Sequence, residues 1–175
     1  MGHSQASKAS NRERILNEAS ARIREAGLES LSVGKLMQSV NLTHGGFYGH
    51  FASRRDLLAE ALAKALQDGE ETAKASNGGA SRNYPTLVRS YLSRTHRDSR
   101  EAGCAIAALV SDAGRAEEGI RAVMGGRIER YLTSIADSLG DEDEDRAMVT
   151  LSTLVGALAL SRVVSDSKKS DAVLR

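Results

Sequence analysis

Residues 32–58 read SVGKLMQSVNLTHGGFYGHFASRRDLL, and three hydroxyl side chains divide this stretch into helices. Ser32, Thr43 and Ser53 each precede a run of residues with helical spacing. A Ser or Thr just before a helix can accept a hydrogen bond from a backbone N–H group of the first turn. We therefore predict a helix after each of these three residues, the second of which runs to about His50.

The first two of these helices are short, and a tight turn at about residues 39–42 would join them. This is the layout of a helix-turn-helix, whose second helix enters the major groove of DNA. Asn41 lies where the turn needs a left-handed backbone, which Asn tolerates better than most residues. The local pattern therefore predicts a DNA-binding motif.

Aromatic residues are scarce in this chain, and several of them lie in the same stretch. The sequence has no Trp, two Phe and four Tyr, and both Phe and one Tyr fall between Asn41 and Phe51. We predict that Phe47 and Phe51 pack under the first helix, against Ile15, Ile23 and Leu36.

The rest of the chain has one proline and steadily spaced Ala and Leu, without the alternation of a β-strand. We predict an all-α fold. Ser10 and Glu13 form a capping box for the first helix, which Gly27 ends. Pro85 suits the first turn of another helix, and Ser170 begins a terminal helix that we expect to be cut short. Further predicted elements are a loop at 76–83 and helices near 103–112, 117–139 and 143–165.

Charge and composition exclude several classes of protein. The net charge is +1, but residues 1–56 carry eight basic and five acidic side chains, which hints that this third faces a polyanion. The single cysteine, Cys104, excludes an intramolecular disulfide, and there is no zinc-ligand cluster. We find neither a signal peptide nor a run of about 18–20 apolar residues. We therefore expect a cytoplasmic protein without membrane contact, metal or cofactor.

The stretch from residue 32 to residue 58 resembles the DNA-binding domain of the TetR/AcrR family of transcriptional regulators. The matching residues are Ser32, Leu42, Thr43, Tyr48, His50, Phe51, Ser53, Arg54 and Leu57. Residues 12–33 also resemble the first helix of the family and the turn after it. Two residues depart from the pattern: Asn41 replaces the usual glycine of the turn, and Arg54 replaces the usual lysine.

The resemblance implies a helix-turn-helix DNA-binding domain at residues 1–56 and an effector-binding and dimerisation domain at residues 57–175. It implies that polar groups of the second helix contact phosphates or bases, and that glycines there let the backbone approach the groove. The predicted DNA-binding residues are Ser32, Lys35, Thr43, His44, Gly45, Gly46, Tyr48, His50, Ser53 and Arg54.

The segment MVTLSTLVGALALSRVV, residues 148–164, is apolar on more than one face, so this helix needs partners on two sides. In the family, the last two helices pair across a two-fold axis into a four-helix bundle. The predicted dimer interface is Leu151, Val155, Gly156, Ala159 and Val163. A helix buried within one subunit is the alternative.

An apolar effector pocket is also expected between helices of the second domain. Its candidate lining is Tyr91, Cys104, Ile106, Leu109, Met124, Ile128, Tyr131, Leu154 and Leu158. Ordinary core packing is the alternative for each of these residues. Arg89, Arg94, Arg97 and Arg127 are candidates to pair with an anionic effector, or else belong to the solvated surface.

The function that the resemblance implies is a homodimeric repressor that a small apolar or amphipathic effector releases from a palindromic operator in double-stranded DNA. One alternative is a helical interaction module with a vestigial helix-turn-helix, and another is a redox- or electrophile-sensing regulator that uses Cys104. An enzyme using His44, His50 or Cys104 is disfavoured, because the sequence has no catalytic acid pair, Ser-His-Asp pattern or metal motif.

Overall fold

The computed structural model describes residues 5–75, 83–140 and 144–175, apart from the side chains of 73–75. The regular structure of these residues is helical, which confirms the all-α prediction. The α-helices are α1 Gln5–Ala26, α2 Val33–Ser39, α3 Arg54–Ala75, α4 Tyr84–Tyr91, α5 Arg94–Asp98, α6 Ala105–Arg115, α7 Glu118–Leu139, α8 Glu144–Val163 and α9 Ser167–Val173. A 3-10 turn at Leu28–Ser30 precedes α2, and a 3-10 helix at His44–Gly49, here called the recognition helix, follows it.

The first helix begins earlier than the capping box predicts. Helix α1 already includes Gln5, so Ser10 lies inside it and the predicted start is wrong. Residues 5–9 contain neither Gly nor Pro, and Ala, Gln and Lys all favour a helix. The predicted end is confirmed, because Gly27 has a φ of 87° and its N–H group donates to the Ile23 carbonyl at 2.9 Å.

The turn of the helix-turn-helix has the predicted backbone. Asn41 has a φ of 56°, in the left-handed region. The recognition helix begins after Thr43 and ends within one residue of the prediction, but it has 3-10 rather than α geometry. Three of its six residues are glycine, which disfavours a regular α-helix.

Two apolar clusters hold the helices together. In the first cluster, Phe47 and Phe51 are buried with Ile15, Ile23 and Leu36, as predicted. This cluster continues along α3 and into α6 and α7, so the helix-turn-helix and the body share one core. The predicted boundary between residues 56 and 57 falls in the first turn of α3, and as a division of function it stays a prediction.

The second cluster lies between α4, α7 and α8. Its buried residues are Leu87, Tyr91, Ile135, Ala147, Leu151, Leu154 and Leu158. The half-buried side chains of Cys104, Ile128, Tyr131 and Val155 pack against both clusters. These four residues, here called the seam, join the two cores.

The helices of the body largely follow the prediction, including the position of Pro85 in the first turn of α4. The sequence does not indicate the short helix α5, and the predicted start of the last helix is wrong. Helix α9 begins at Ser167, because the Asp166 side chain accepts from the Lys169 N–H group at 2.8 Å and caps it. Ser170 is buried inside this helix. Residues 76–82 of the predicted loop lie outside the described residues.

Candidate nucleic-acid interface

Neighbouring side chains of the recognition helix point in opposite directions. The side chain of Phe47 is 1% exposed, whereas that of Tyr48 is 69% exposed. The two rings meet edge to face with centroids 5.2 Å apart, and Phe47 also stacks on Phe51. The core therefore fixes the helix through its phenylalanines and leaves the Tyr48 hydroxyl to solvent.

The start of the recognition helix is open on its outer side. The Gly46 N–H group donates to Thr43 Oγ1 at 3.3 Å, so the predicted cap is present. His44 and Gly45 are exposed beside it. A Cβ atom added to Gly45 would meet no described atom within 4 Å, whereas one on Gly46 would lie 3.5 Å from Thr43 Oγ1. The fold therefore leaves space for a side chain at Gly45.

His50 lies at the end of this helix and is half-buried. Its Nδ1 atom is buried without a hydrogen-bond partner among the described residues. Burial lowers the pKa of His50, and the positive charges of Lys8 and Arg12 lower it further, so the neutral ring is favoured. Lys8 and Arg12 belong to α1 and lie near His50, which local sequence signals did not indicate, and Arg12 pairs with Glu60 of α3.

Ser32, Lys35 and Ser53 surround the recognition helix with different partners. Ser32 precedes α2 as predicted, but its hydroxyl makes no cap hydrogen bond to the described residues. Lys35 is exposed. Ser53 caps α3, since the Asp56 N–H group donates to its hydroxyl at 3.1 Å. Contacts of these residues with DNA stay predictions.

Arg54 has internal partners that the sequence did not indicate. Its Nε atom donates to the Leu31 carbonyl at 3.1 Å and its Nη2 atom to the Leu28 carbonyl at 3.4 Å. The side chain also pairs with the exposed carboxylate of Glu29 at 3.5 Å. The guanidinium therefore holds the segment that leads into α2, and this geometry favours a supporting role over the predicted phosphate contact.

Arg14 of α1 supports the other end of α2, and the sequence analysis missed it. Its Nη2 atom donates to the Val40 carbonyl at 2.6 Å, next to the turn residue Asn41. The partners lie 26 residues apart in the chain. Arginines from α1 and α3 thus hold the two ends of α2.

The predicted pocket residues are distributed over the two cores. Ile106, Leu109 and Met124 belong to the first cluster, and Tyr91, Leu154 and Leu158 to the second. The remaining three, Cys104, Ile128 and Tyr131, lie in the seam. Their role in binding an effector stays a prediction, and their placement in the cores is also what ordinary packing requires.

Cys104 takes part in a small polar group at the start of α6. The Tyr91 hydroxyl donates to Cys104 Sγ at 3.2 Å, and burial raises the pKa of Tyr91. The Cys104 N–H group donates to His96 Nε2 at 3.0 Å, so the proton of the neutral ring is on Nδ1, which donates to the Tyr91 carbonyl at 2.7 Å. Redox sensing by Cys104 stays a prediction.

Three of the four arginines considered for an anionic effector have carboxylate partners. Arg94 and Arg97 both pair with Asp171 of α9, and Arg127 pairs with Glu70 of α3. The fourth, Arg89, lines a surface groove of about 470 Å³ between α4 and α9. The other residues along this groove are Tyr84, Pro85, Val88, Leu92, Leu174 and Arg175. The groove includes none of the nine predicted pocket residues.

One face of α8 is apolar and exposed. Val163 is 79% exposed, and Met148, Val149 and Leu160 are exposed with it. Gly156 and Ala159 are half-buried, whereas Leu151 faces inward with 6% of its surface exposed. Helix α8 is also long and apolar enough to cross a membrane, but the core helix of a soluble protein can have the same length and composition. Its exposed stripe is a candidate surface for a second helix pair.

Comparisons with known proteins agree with this arrangement. The model of the bacterial regulatory proteins of the tetR family matches residues 15–61, which include the whole recognition helix. An uncharacterized HTH-type transcriptional regulator of Mycobacterium tuberculosis is 31% identical over 176 residues, covering 94% of this chain and 90% of the relative.

Solved structures share the fold at lower identity. A TetR transcriptional regulator from Chloroflexus aurantiacus has a TM-score of 0.79 and 21% identity, covering 97% of this chain and 92% of its own. The reduced form of Escherichia coli NemR has a TM-score of 0.76 and 16% identity, covering 94% and 93%. A Saccharomonospora viridis regulator in complex with choline has a TM-score of 0.72 and 14% identity, covering 95% and 92%.

The recognition helix, the fold and the nearly full-length similarity to the mycobacterial regulator lead to one conclusion. The chain belongs to the tetR family of bacterial transcriptional regulators.

Proposed function

We propose that this regulator is a homodimeric repressor in the cytoplasm, which binds a palindromic DNA operator and is released by a small apolar or amphipathic effector. The observation that carries the proposal is the division of the recognition helix. Phe47 anchors it in the core, while His44, Gly45 and Tyr48 are exposed around an open backbone. These three exposed residues contribute little to the packing of the protein, whereas they would be in contact with DNA if the helix lay in a groove.

The exposed residues suit DNA in their chemistry. A Tyr hydroxyl and an imidazole donate hydrogen bonds to phosphate oxygens, and a glycine lets the helix backbone approach the groove. The cations of Lys8 and Lys35 lie on the helices beside this face and would add attraction to the polyanion. A vestigial helix-turn-helix would not need to keep this set exposed.

A second copy of the chain is the partner we propose for the apolar face of α8. The stripe of Val149, Leu160 and Val163 is too large to leave in water without cost, since each buried side chain of this kind contributes about 1.5–3 kcal/mol. A two-fold axis through this face would present two recognition helices to the same side of DNA. Their expected spacing is about 34–36 Å, one turn of the double helix.

The seam is where we place the effector. Cys104, Ile128 and Tyr131 are only half-buried between two cores, so a ligand could separate the clusters there at less cost than inside either of them. The regulator from Saccharomonospora viridis, which shares this fold, was solved with a small molecule, choline. Effector and operator would then bias one equilibrium in opposite directions, so each weakens the other by the same factor.

The test is DNA binding by fluorescence anisotropy, with duplexes from the region upstream of the gene and unrelated competitor DNA. The variant Tyr48→Ala should weaken specific binding about tenfold or more for each subunit, the cost of one hydrogen bond to a charged phosphate. Its thermal stability should change little, because the side chain is exposed.

Tyr84→Ala is the matched control, because Tyr84 lies on α4, away from the recognition helix, and its hydroxyl faces Thr150. It should leave DNA affinity unchanged. A wild-type protein that is dimeric but binds no duplex above the competitor would instead favour the vestigial interaction module.

A further inference from the structure

The segment of residues 27–31, here called the entry loop, joins α1 to α2 and is contacted by α6 of the body. Asp112 of α6 accepts a hydrogen bond from the Leu28 N–H group through Oδ2, at 3.1 Å. A Cβ atom on Gly27 would lie 2.7 Å from the same oxygen, and Gly27 has a φ of 87°. The backbone conformation therefore favours glycine here, and a Cβ atom at this position would displace the Asp112 carboxylate.

The Asp112 carboxylate is oriented from its own helix. Arg115 Nη2 donates to Oδ1 of Asp112 at 2.8 Å, and Arg115 Nη1 donates to the Ser111 hydroxyl at 2.7 Å. One oxygen is thus occupied by the guanidinium, which directs the other to the entry loop. A carboxylate bound from both sides has fewer orientations than a solvated one.

The same loop is bound on its other side by α3. The Leu28 N–H group donates to Asp112, while the Leu28 carbonyl accepts from Arg54, which also binds the Leu31 carbonyl. The side chains of Leu28 and Leu31 are buried in the first cluster. The entry loop is therefore bound by its backbone to both α6 and α3, immediately before Ser32 and α2.

We propose that Asp112 is a positioning residue for DNA binding. It fixes the entry loop against α6 and, through this loop, sets the position of α2 and of the recognition helix relative to the body. The proposal rests on the DNA binding proposed above. A displacement of α6 would pull directly on the Leu28 amide, so the same hydrogen bond connects the body to the helix-turn-helix.

Charge alone predicts the opposite effect of removing Asp112. Loss of one negative charge near a DNA-binding face should strengthen binding to a polyanion. Loss of a positioning contact should weaken it. The sign of the change therefore separates the two effects.

The experiment measures affinity for a duplex that the wild-type protein has selected from a random pool, at one fixed salt concentration. We expect Asp112→Ala to weaken binding about 2- to 30-fold, the range for residues that transmit coupling without touching the ligand. Asp112→Asn keeps one oxygen that can accept from Leu28 but loses the hydrogen bond to Arg115, so it should lose less affinity than Asp112→Ala. If Asp112→Ala does not fold, Asp112→Ser, whose side chain is too short to reach the loop, takes its place with the same expectation.

Glu118→Ala is the control for charge, because Glu118 is an exposed acid in the first turn of α7. It should leave binding unchanged or strengthen it slightly. Wild-type affinity of Asp112→Ala would overturn the proposal, and so would equal losses in the alanine and asparagine variants.

Hydrogen exchange of the free protein tests the contact without DNA. In Asp112→Ala the amides of the entry loop and α2 should exchange faster, while those of α8 keep their wild-type rates. If the wild-type protein selects no duplex, the proposed function fails, and the exchange rates still decide whether Asp112 holds the loop. Unchanged exchange at Leu28 would refute that role.

Discussion

Two cations of the helix-turn-helix region, Arg54 and Lys35, should respond differently to substitution. Arg54 binds the Leu31 carbonyl at 3.1 Å and the Leu28 carbonyl at 3.4 Å, whereas Lys35 is exposed on α2. If Arg54 supports the entry loop, DNA binding should depend on the several hydrogen-bond donors of its guanidinium more than on its charge. If it binds a phosphate, lysine should replace it well.

The decisive variant is Arg54→Lys, which keeps the charge but reaches at most one of the two carbonyls. A hydrogen bond from a charged donor contributes about 1.5–3 kcal/mol, and partial exposure of Arg54 reduces this to about 1 kcal/mol. We therefore expect DNA affinity to fall about fivefold for each subunit that carries the substitution. The slope of log K against log salt should not change, because no phosphate contact is lost.

Lys35→Ala is the comparison that should change the slope. Each phosphate contact contributes about 0.9 to the slope, so a dimer that loses two contacts should have a slope smaller by about 1.8. The assay is fluorescence anisotropy with the selected duplex at several salt concentrations. Wild-type affinity of Arg54→Lys, or a slope that falls by about 1.8 in Arg54→Ala, would refute the supporting role.

Three further results are expected. Gly45→Ala should stabilise the fold by up to about 1 kcal/mol and yet weaken DNA binding, because only DNA would meet the added methyl group. Gly69→Ala is the control, because a Cβ atom there is also in open space but lies on α3, and it should give the gain in stability alone. Equal DNA affinity of the two variants would contradict a close approach of Gly45 to DNA. If the proposed dimer forms through this face of α8, Leu160→Glu should give a monomer in sedimentation, and a dimer that persists would exclude this face. Hydrogen bonds from Arg94, and to a smaller extent from Arg97, hold the pKa of Asp171 below its usual range. The stability that these bonds give the fold is therefore present above about pH 4 and is lost as the pH falls further. Asp171→Asn should therefore flatten the dependence of Tm on pH in acid, and parallel curves would show that the ion pair contributes nothing.

Short-range features of the helix-turn-helix could be predicted from the sequence, because their partners lie within a few residues. Thr43 caps the recognition helix, Ser53 caps α3 and Asn41 has a left-handed backbone. The predicted burial of Phe47 and Phe51 is confirmed as well. The same local reasoning failed at Ser10, since a residue with capping chemistry also fits inside a helix when the preceding residues favour one.

The orientation of α8 about its own axis could not be predicted from the sequence. Its residues are apolar around most of the circumference, so periodicity does not distinguish the inner face from the outer one. Leu151, predicted at the dimer interface, is buried within the protomer, while Leu160 and Val163 are exposed. Packing against α7 and α9 decides which side remains available to a partner.

The sequence by itself determined that the chain is helical, where the recognition helix lies and which residues it buries, since caps, turns and apolar spacing act over a few residues. Only the tertiary structure decided the hydrogen-bond partners of Arg14, Arg54 and Asp112. Their partners lie 26, 23 and 84 residues away in the chain. A charged side chain with such a distant partner resembles any solvated one in the sequence, because nothing near it in the chain records which backbone group the fold will bring to it.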